Sequence, residues 1–433
     1  MYRISEIQDK LFHLVGWQQD YNPEKQIAET LTESESGLFF QGAHPLVTLD
    51  NIRAIMPDDY GFKYEAWDDA REYVKGNKVR HSGKVYEATE ANINVEPTKQ
   101  ATEWKLYDIL SDFLTTLTRN GIAQVVQTFL QMKGLQKETK SLLERRTFFD
   151  GAGRLKATVD NRHRLVGFEI VPVRSMGVTA KIERIGLQMI GGTGVVKMYL
   201  FHSSQPDPIK TFDLEFTKTN GGFQWFDVKD AFMPYISNGN DAGGAWLLCY
   251  NQDELPQGMQ AINVSKDWSR EPCGTCNVGS IEAWRELTKY LLISPFVYNA
   301  PSTFAEYPET PDIAMLNYTN TQNYGLNVEV SVGCDLTDFI IEQRALFQTA
   351  LQRQIAVTIL RTMAMNPDVR VNRNQSNVSR MDVLYEIDGN TQGRKGGLGY
   401  DLERAYEALS LDTRNIDRIC LSCNNHGVKY RTV

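Results

Sequence analysis

No apolar run in this chain approaches the ~20 residues that a membrane-spanning helix needs. Its opening, MYRISEIQDKLFHLVGW, is broken by Glu6, Asp9 and Lys10 and has no signal-peptide pattern, so the expected product is made in the cytoplasm and not exported by the usual secretory route. Positive charge is not in excess: the formal net charge is −8 over 433 residues, which argues against direct nucleic-acid binding. The six histidines form no His-Glu-x-x-His pair, which excludes a zincin by motif. A Gly-x-Ser-x-Gly elbow and a P-loop are both missing. Gly191-Gly192-Thr193-Gly194 lies between strand candidates and reads as a turn, not a phosphate cradle. A glycosidase carboxylate pair cannot be chosen from spacing, because its members need only meet in space. The expectation is a protein that is not an enzyme.

Ordinary globular composition is what remains, with 42% apolar and 23% charged residues. The length predicts two to four domains. Residues 1–60 open with a helix, Ile7, Leu11 and Leu14 recurring at helical spacing after a capping Ser5, with Gly16 as its stop. An irregular stretch follows. Residues 61–107 read as a small β module around a hairpin at Ser82-Gly83. Residues 108–145 form a helical connector, interrupted at Gly121. From 146 to 255 the period changes to two, and seven strand candidates (155–159, 165–171, 178–189, 195–201, 211–216, 223–228 and 245–250) predict an antiparallel β-sandwich of jelly-roll type. Residues 256–433 form an α+β domain with a strand at 327–332, a helix at 401–411 and one long helix at 335–365. That long helix has its apolar stripe at Leu336, Ile340, Phe347, Leu351, Ile355, Ile359 and Met363. Phe339, Ile341 and Val357 lie off the stripe, so the helix is buried on two sides, in its own domain or against another subunit. The segment 368–380 reads as a solvated or interface loop. The fold class is thus multidomain α+β.

Four of the six cysteines form Cys273-Gly-Thr-Cys276 and Cys420-Leu-Ser-Cys423. In a protein that is not secreted, disulfides are disfavoured and metal or reactive-thiol readings gain weight. A Cys-x-x-Cys turn aims two sulfurs at one point, and two such turns together would give zinc a tetrahedral shell with no open position, hence a structural site. Ordinary reduced thiols sharing a spacing, and a redox pair, are the other readings. His426 could add a ligand or a partner to one, or be an exposed polar residue.

In residues 64–107 the order Trp67, Tyr73, Gly76, Val79, Gly83, Tyr86, Ala88, Pro97, Trp104 resembles the small carbohydrate-binding modules of families 5 and 12, the type appended to chitinases. The family holds sugar on exposed rings after its Tyr-x-Ala strand; here that stretch is Thr89 to Asn94 and has no aromatic. Asn77 stands where the family has Asp, and His81 where it has an aromatic. Tyr86 and Trp104 are the remaining candidates for a glycan, and both match core positions of the family. Such modules also decorate tail, baseplate and neck proteins of tailed bacteriophages. The C-terminal segment, from CDLTDF to CLSC, resembles structural proteins of phages infecting Bacteroidota. The resemblance implies a virion component that works by assembly: a homo-oligomer, a ring for instance, contacting other virion proteins. The alternative it leaves is host-surface glycan recognition, or the accessory part of a glycan-degrading enzyme.

Overall fold

The structure, a computed structural model, describes all residues except 1, 23–25, 58–59, 99, 134–140, 150–154, 175, 237–243, 265–277, 320, 366–379, 390–395, 410–415 and 421–433. In chain order the helices and strands are α1 (Ile4–Leu11), α2 (Glu29–Thr32), α3 (Leu49–Ile55), β1 (Glu72–Tyr73), β2 (Lys78–His81), β3 (Lys84–Ala88), β4 (Asn92–Ile93), β5 (Trp104–Leu106), α4 (Ile109–Met132), β6 (Ser141–Thr147), β7 (Leu155–Val159), β8 (Leu165–Pro172), β9 (Val178–Leu187), β10 (Met189–Ile190), β11 (Gly194–His202), β12 (Lys210–Phe216), β13 (Gln224–Met233), β14 (Trp246–Asn251), β15 (Gln260–Val264), α5 (Val278–Leu287), β16 (Leu291–Tyr298), β17 (Asn317–Tyr318), β18 (Leu326–Cys334), α6 (Thr337–Glu342), α7 (Gln348–Met365), α8 (Arg380–Asp388) and α9 (Leu398–Ala408). The class is mixed α+β with antiparallel sheets. Among the described residues no helix is long and apolar enough to cross a membrane.

Two compact units divide the chain. One comprises Met1–Tyr2, Lys137–Phe339 and Thr413–Val433, and the other Arg3–Gln136 and Ile340–Asp412. Neither follows the linear boundaries that the sequence predicts, because the second unit closes around helices from both ends of the chain.

The first unit is built on a six-stranded sheet, β12-β11-β14-β8-β16-β17, and a four-stranded sheet, β13-β9-β18-β6. All seven strand candidates of 146–255 are strands. The region draws in five more that the sequence assigned elsewhere: β6 from the helical connector, and β15, β16, β17 and β18 from the C-terminal domain. β8 is a near-continuous buried run, Leu165 to Ile170, paired on both edges. Gly167 at its centre is the only residue type that fits: a Cβ there would lie 2.1 Å from the Leu248 carbonyl oxygen. Phe148, just after β6, sets its ring edge-on to Phe168 of β8 at 5.3 Å. Tyr199, Phe201, Leu247, Phe296 and Phe304 fill the core on the other side.

The second unit holds α1 to α4, α7 to α9 and the small β module. α4 runs through Gly121 without interruption, contrary to the sequence expectation. The reason is packing. Gly121 faces α7, and a Cβ there would stand 2.6 Å from Cγ1 of Ile355, so glycine lets the two helices approach. Phe129 of α4 meets Phe347 edge-on at 5.3 Å. α7 is covered within this unit by α3, α4, α8 and α9, which accounts for its apolar residues on several faces. The long helix expected at 335–365 is broken: α6 ends at Glu342, a 3₁₀ turn covers Arg344–Phe347, and α7 begins at Gln348. The early expectations shift too. α1 ends at Leu11, Ser5 lies inside it, and no side chain caps it. Gly16 instead bridges to Phe39, where a Cβ would lie 2.6 Å from the Glu33 carbonyl oxygen.

Candidate functional site

The module at 60–107 is the best-defined candidate. Its hairpin turns on Ser82 (φ 49°) and Gly83 (φ 74°), two positive-φ residues between the paired His81 and Lys84. That is the two-residue turn whose twist matches a hairpin. β2, β3 and β5 form one sheet, and β1 and β4 a second pair. Tyr73, Val79, Tyr86, Ala88 and Trp104 make a core of the module's own. Trp104 donates its indole N–H to the Val95 carbonyl at 2.9 Å and meets Tyr73 edge-on at 5.3 Å.

Tyr86 and Trp104, the rings the sequence left for a glycan, are only 4% and 3% exposed. Stacking on a sugar needs a free, flat face, and the core uses both of theirs. The exposed ring is one the motif does not contain. Phe62 is 64% exposed, with the Arg80 guanidinium 3.9 Å from its centroid. Beside it, Trp67 meets His81 edge-on at 5.4 Å, and His81 Nε2 lies 2.9 Å from a Glu96 oxygen.

A clasp holds the module on α4. Asp108 caps that helix through the Leu110 and Ser111 amides. One turn on, the Asp112 carboxylate gathers four groups. Its Oδ2 accepts from the Tyr60 hydroxyl at 3.0 Å, from the Tyr64 hydroxyl at 2.9 Å and from the Lys63 ammonium, and its Oδ1 accepts from the Tyr107 hydroxyl at 3.2 Å. Lys63 also lies over the Tyr60 ring at 4.1 Å, and Lys78 over the Tyr107 ring at 4.1 Å. Burial works against the Asp112 charge, but the hydrogen bonds from Lys63, Tyr64 and Tyr60 outweigh it and hold the carboxyl below its ordinary range. Burial likewise opposes the Lys63 charge, and the bond to Asp112 raises its pKa in spite of that. Burial and the bond to Asp112 together push the Tyr64 phenol up. No sequence motif marks this constellation. The groups come from two separate pieces of sequence, Tyr60, Lys63 and Tyr64 in one and Tyr107 and Asp112 in the other, with nothing local to join them.

Of the four candidate zinc ligands, Cys420 falls within the described residues. Cys420 is disulfide-bonded to Cys334, with the Cα atoms 5.5 Å apart. Its sulfur is therefore not available as a thiolate in this structure. Cys273, Cys276, Cys423 and His426, and all but the last residue of 368–380, lie outside the described residues. Among the described residues no group of three or more His, Cys, Asp or Glu side chains is arranged to hold a metal ion. Cys249 is buried in β14, and burial pushes its thiol well above the ordinary range. A disulfide went against the sequence expectation. It forms because the end of β18 and the turn at Arg418–Cys420 converge across 86 residues of chain, a distance no spacing rule reads. Gly191 to Thr193 connect β10 to β11, and Gly194 opens β11.

Compared with known protein families, with curated proteins and with solved structures, the chain matches none.

Proposed function

We propose that this chain is a non-catalytic structural component of a tailed-phage virion, in the tail, baseplate or neck, acting as a homo-oligomer or in contact with other virion proteins. In this reading its two large sheets form a sandwich of jelly-roll type. The supporting observation is the small module: its two signature rings are spent on its own core, and the Asp112 clasp fixes it to α4. A folded peg held rigidly on a helix suits subunit contact. Closed rings need two different faces on each subunit, and a chain of two dissimilar units can supply them. A structural zinc on Cys273, Cys276, Cys420 and Cys423 belongs to this reading for the reduced chain. Native mass spectrometry under reducing conditions, with and without a chelator, tests both. The expected result is a ring-sized oligomer carrying one zinc per chain. A monomer that also fails to bind other virion proteins would end the assembly reading, and a metal-free spectrum would end the zinc.

Exposed Phe62 favours a second reading, recognition of a cell-surface glycan. A ring with a guanidinium on one face and water on the other can stack on a pyranose. Glycan binding by the isolated chain that is abolished in Phe62→Ala, with the fold intact, would favour it over assembly.

A further inference from the structure

We infer that the Cys334–Cys420 disulfide is a reversible redox latch on the segment Ile416–Cys420. The inference does not depend on the assembly reading.

Cys334 closes β18, and Cys420 closes the turn Arg418–Cys420; they are 3% and 1% exposed. The segment lies on the backbone of Met176 and Gly177. Asp417 donates its amide to the Met176 carbonyl at 2.8 Å, and the Gly177 carbonyl accepts the Asp335 amide at 2.8 Å. Gly177 has φ +89°, and a Cβ there would stand 3.0 Å from Cγ2 of Ile416 and 3.9 Å from Cβ of Cys420. The latch is thus seated on a surface that admits no side chain beneath it.

The same seat accommodates the open state. The Cys420 sulfur lies 3.2 Å from the Gly177 carbonyl oxygen. Once reduced, its S–H has an acceptor already in place, and a buried thiol is at ease among Leu336 and Ile416. Reduction therefore leaves no stranded polar group. It removes the covalent tie and leaves the segment held by weak contacts.

The chemistry is thiol–disulfide exchange. On opening, a small-molecule thiolate attacks one sulfur, the Cys334–Cys420 bond breaks and a mixed disulfide forms. A second thiolate displaces the protein sulfur, giving two cysteine thiols and one small-molecule disulfide, with two electrons and two protons taken up by the protein. On closing, a disulfide of the glutathione type accepts those electrons and both protons are released. Because both sulfurs are buried, either direction requires Ile416–Cys420 to lift first.

The full chain tests this in buffers of glutathione disulfide or dithiothreitol, by peptide mass mapping after thiol blocking and by the rate of tryptic cleavage after Arg418. The expected result is a 334–420 cross-link in glutathione disulfide that dithiothreitol removes and re-oxidation restores. Cleavage after Arg418 should run about tenfold faster or more in the reduced form, because segment opening limits it. Cys334→Ser should be cleaved at the fast rate in both buffers. If that variant does not fold, the wild-type comparison alone decides. Absence of the 334–420 cross-link, or equal cleavage rates in the two buffers with a chelator present throughout, would each overturn the latch.

Discussion

Asp112 holds three phenols and an ammonium on two oxygens, so its loss strands several donors at once. Asp112→Ala should lower stability by about 1–3 kcal/mol. Because the folded pKa of Asp112 is depressed, the clasp contributes fully above the ordinary carboxylate value of ~3.9 and is lost only as pH falls through the lower folded value. Calorimetry should accordingly find a wild-type minus variant difference that is flat from about pH 5 to 8 and shrinks only in strong acid. Glu169 presents the opposite sign. It is buried in β8, where desolvation raises its pKa against the opposing hydrogen bond that Tyr318 donates at 3.1 Å. Burial and the Glu169 charge push the Tyr318 phenol up to about 12. A raised folded pKa means stability that is present at low pH and lost as pH rises past the ordinary carboxylate value. Glu169→Gln keeps the acceptor and removes the charge, so its melting temperature should exceed the wild type's at pH 7 and match it near pH 4; a lower value at pH 7 would contradict the assignment.

Between elements, two glycines set how closely backbones approach. At Gly121 the obstacle to a Cβ is the flexible end of Ile355, which can shift. Gly121→Ala gains about 1 kcal/mol of helix propensity and loses about 1–3 kcal/mol to overpacking, so the net change should be small and destabilising. At Gly167 the obstacle is the Leu248 carbonyl and the Cys249 Cα, which cannot yield without breaking the β8–β14 pairing. Gly167→Ala should cost more than about 4 kcal/mol and leave little soluble folded protein. Denaturant melts of the two variants side by side separate these cases. The same contrast explains what could be read beforehand. Strands from 155 to 251 were legible because Gly, Asn and Pro turns punctuate an alternating pattern. β6 is hidden in the sequence because Glu144, Arg145 and Arg146 are three successive charged residues, which lack the alternation of a strand. The break in the helix after Glu342 left no trace either, since no glycine or proline stands there.

At the scale of the molecule, the disulfide joins two residues of the β-rich unit across 86 residues of chain, most of which belong to the other unit. On the loop-closure model a ring of that size stabilises by roughly 4–5 kcal/mol. Reduction should therefore raise hydrogen exchange in β9, β18 and the 416–420 segment while α4 and α7 of the other unit keep their protection. Equal exchange in both redox states, or a loss spread evenly over both units, would mean that the bond does not bear on the β-rich unit as described.

The small module is where the sequence alone went furthest. Its hairpin and turn residues follow from local chemistry, because a two-residue turn demands positive φ, and the core places of Tyr86 and Trp104 were implied by the family resemblance. The seven strands of 146–255 were equally local. What the tertiary structure decided is everything that joins distant segments: helices from both ends of the chain in one unit, β18 beside β9, four groups on Asp112, and Cys420 on Cys334. Those outcomes depend on which surfaces meet once the chain is closed. Residue spacing carries no record of that.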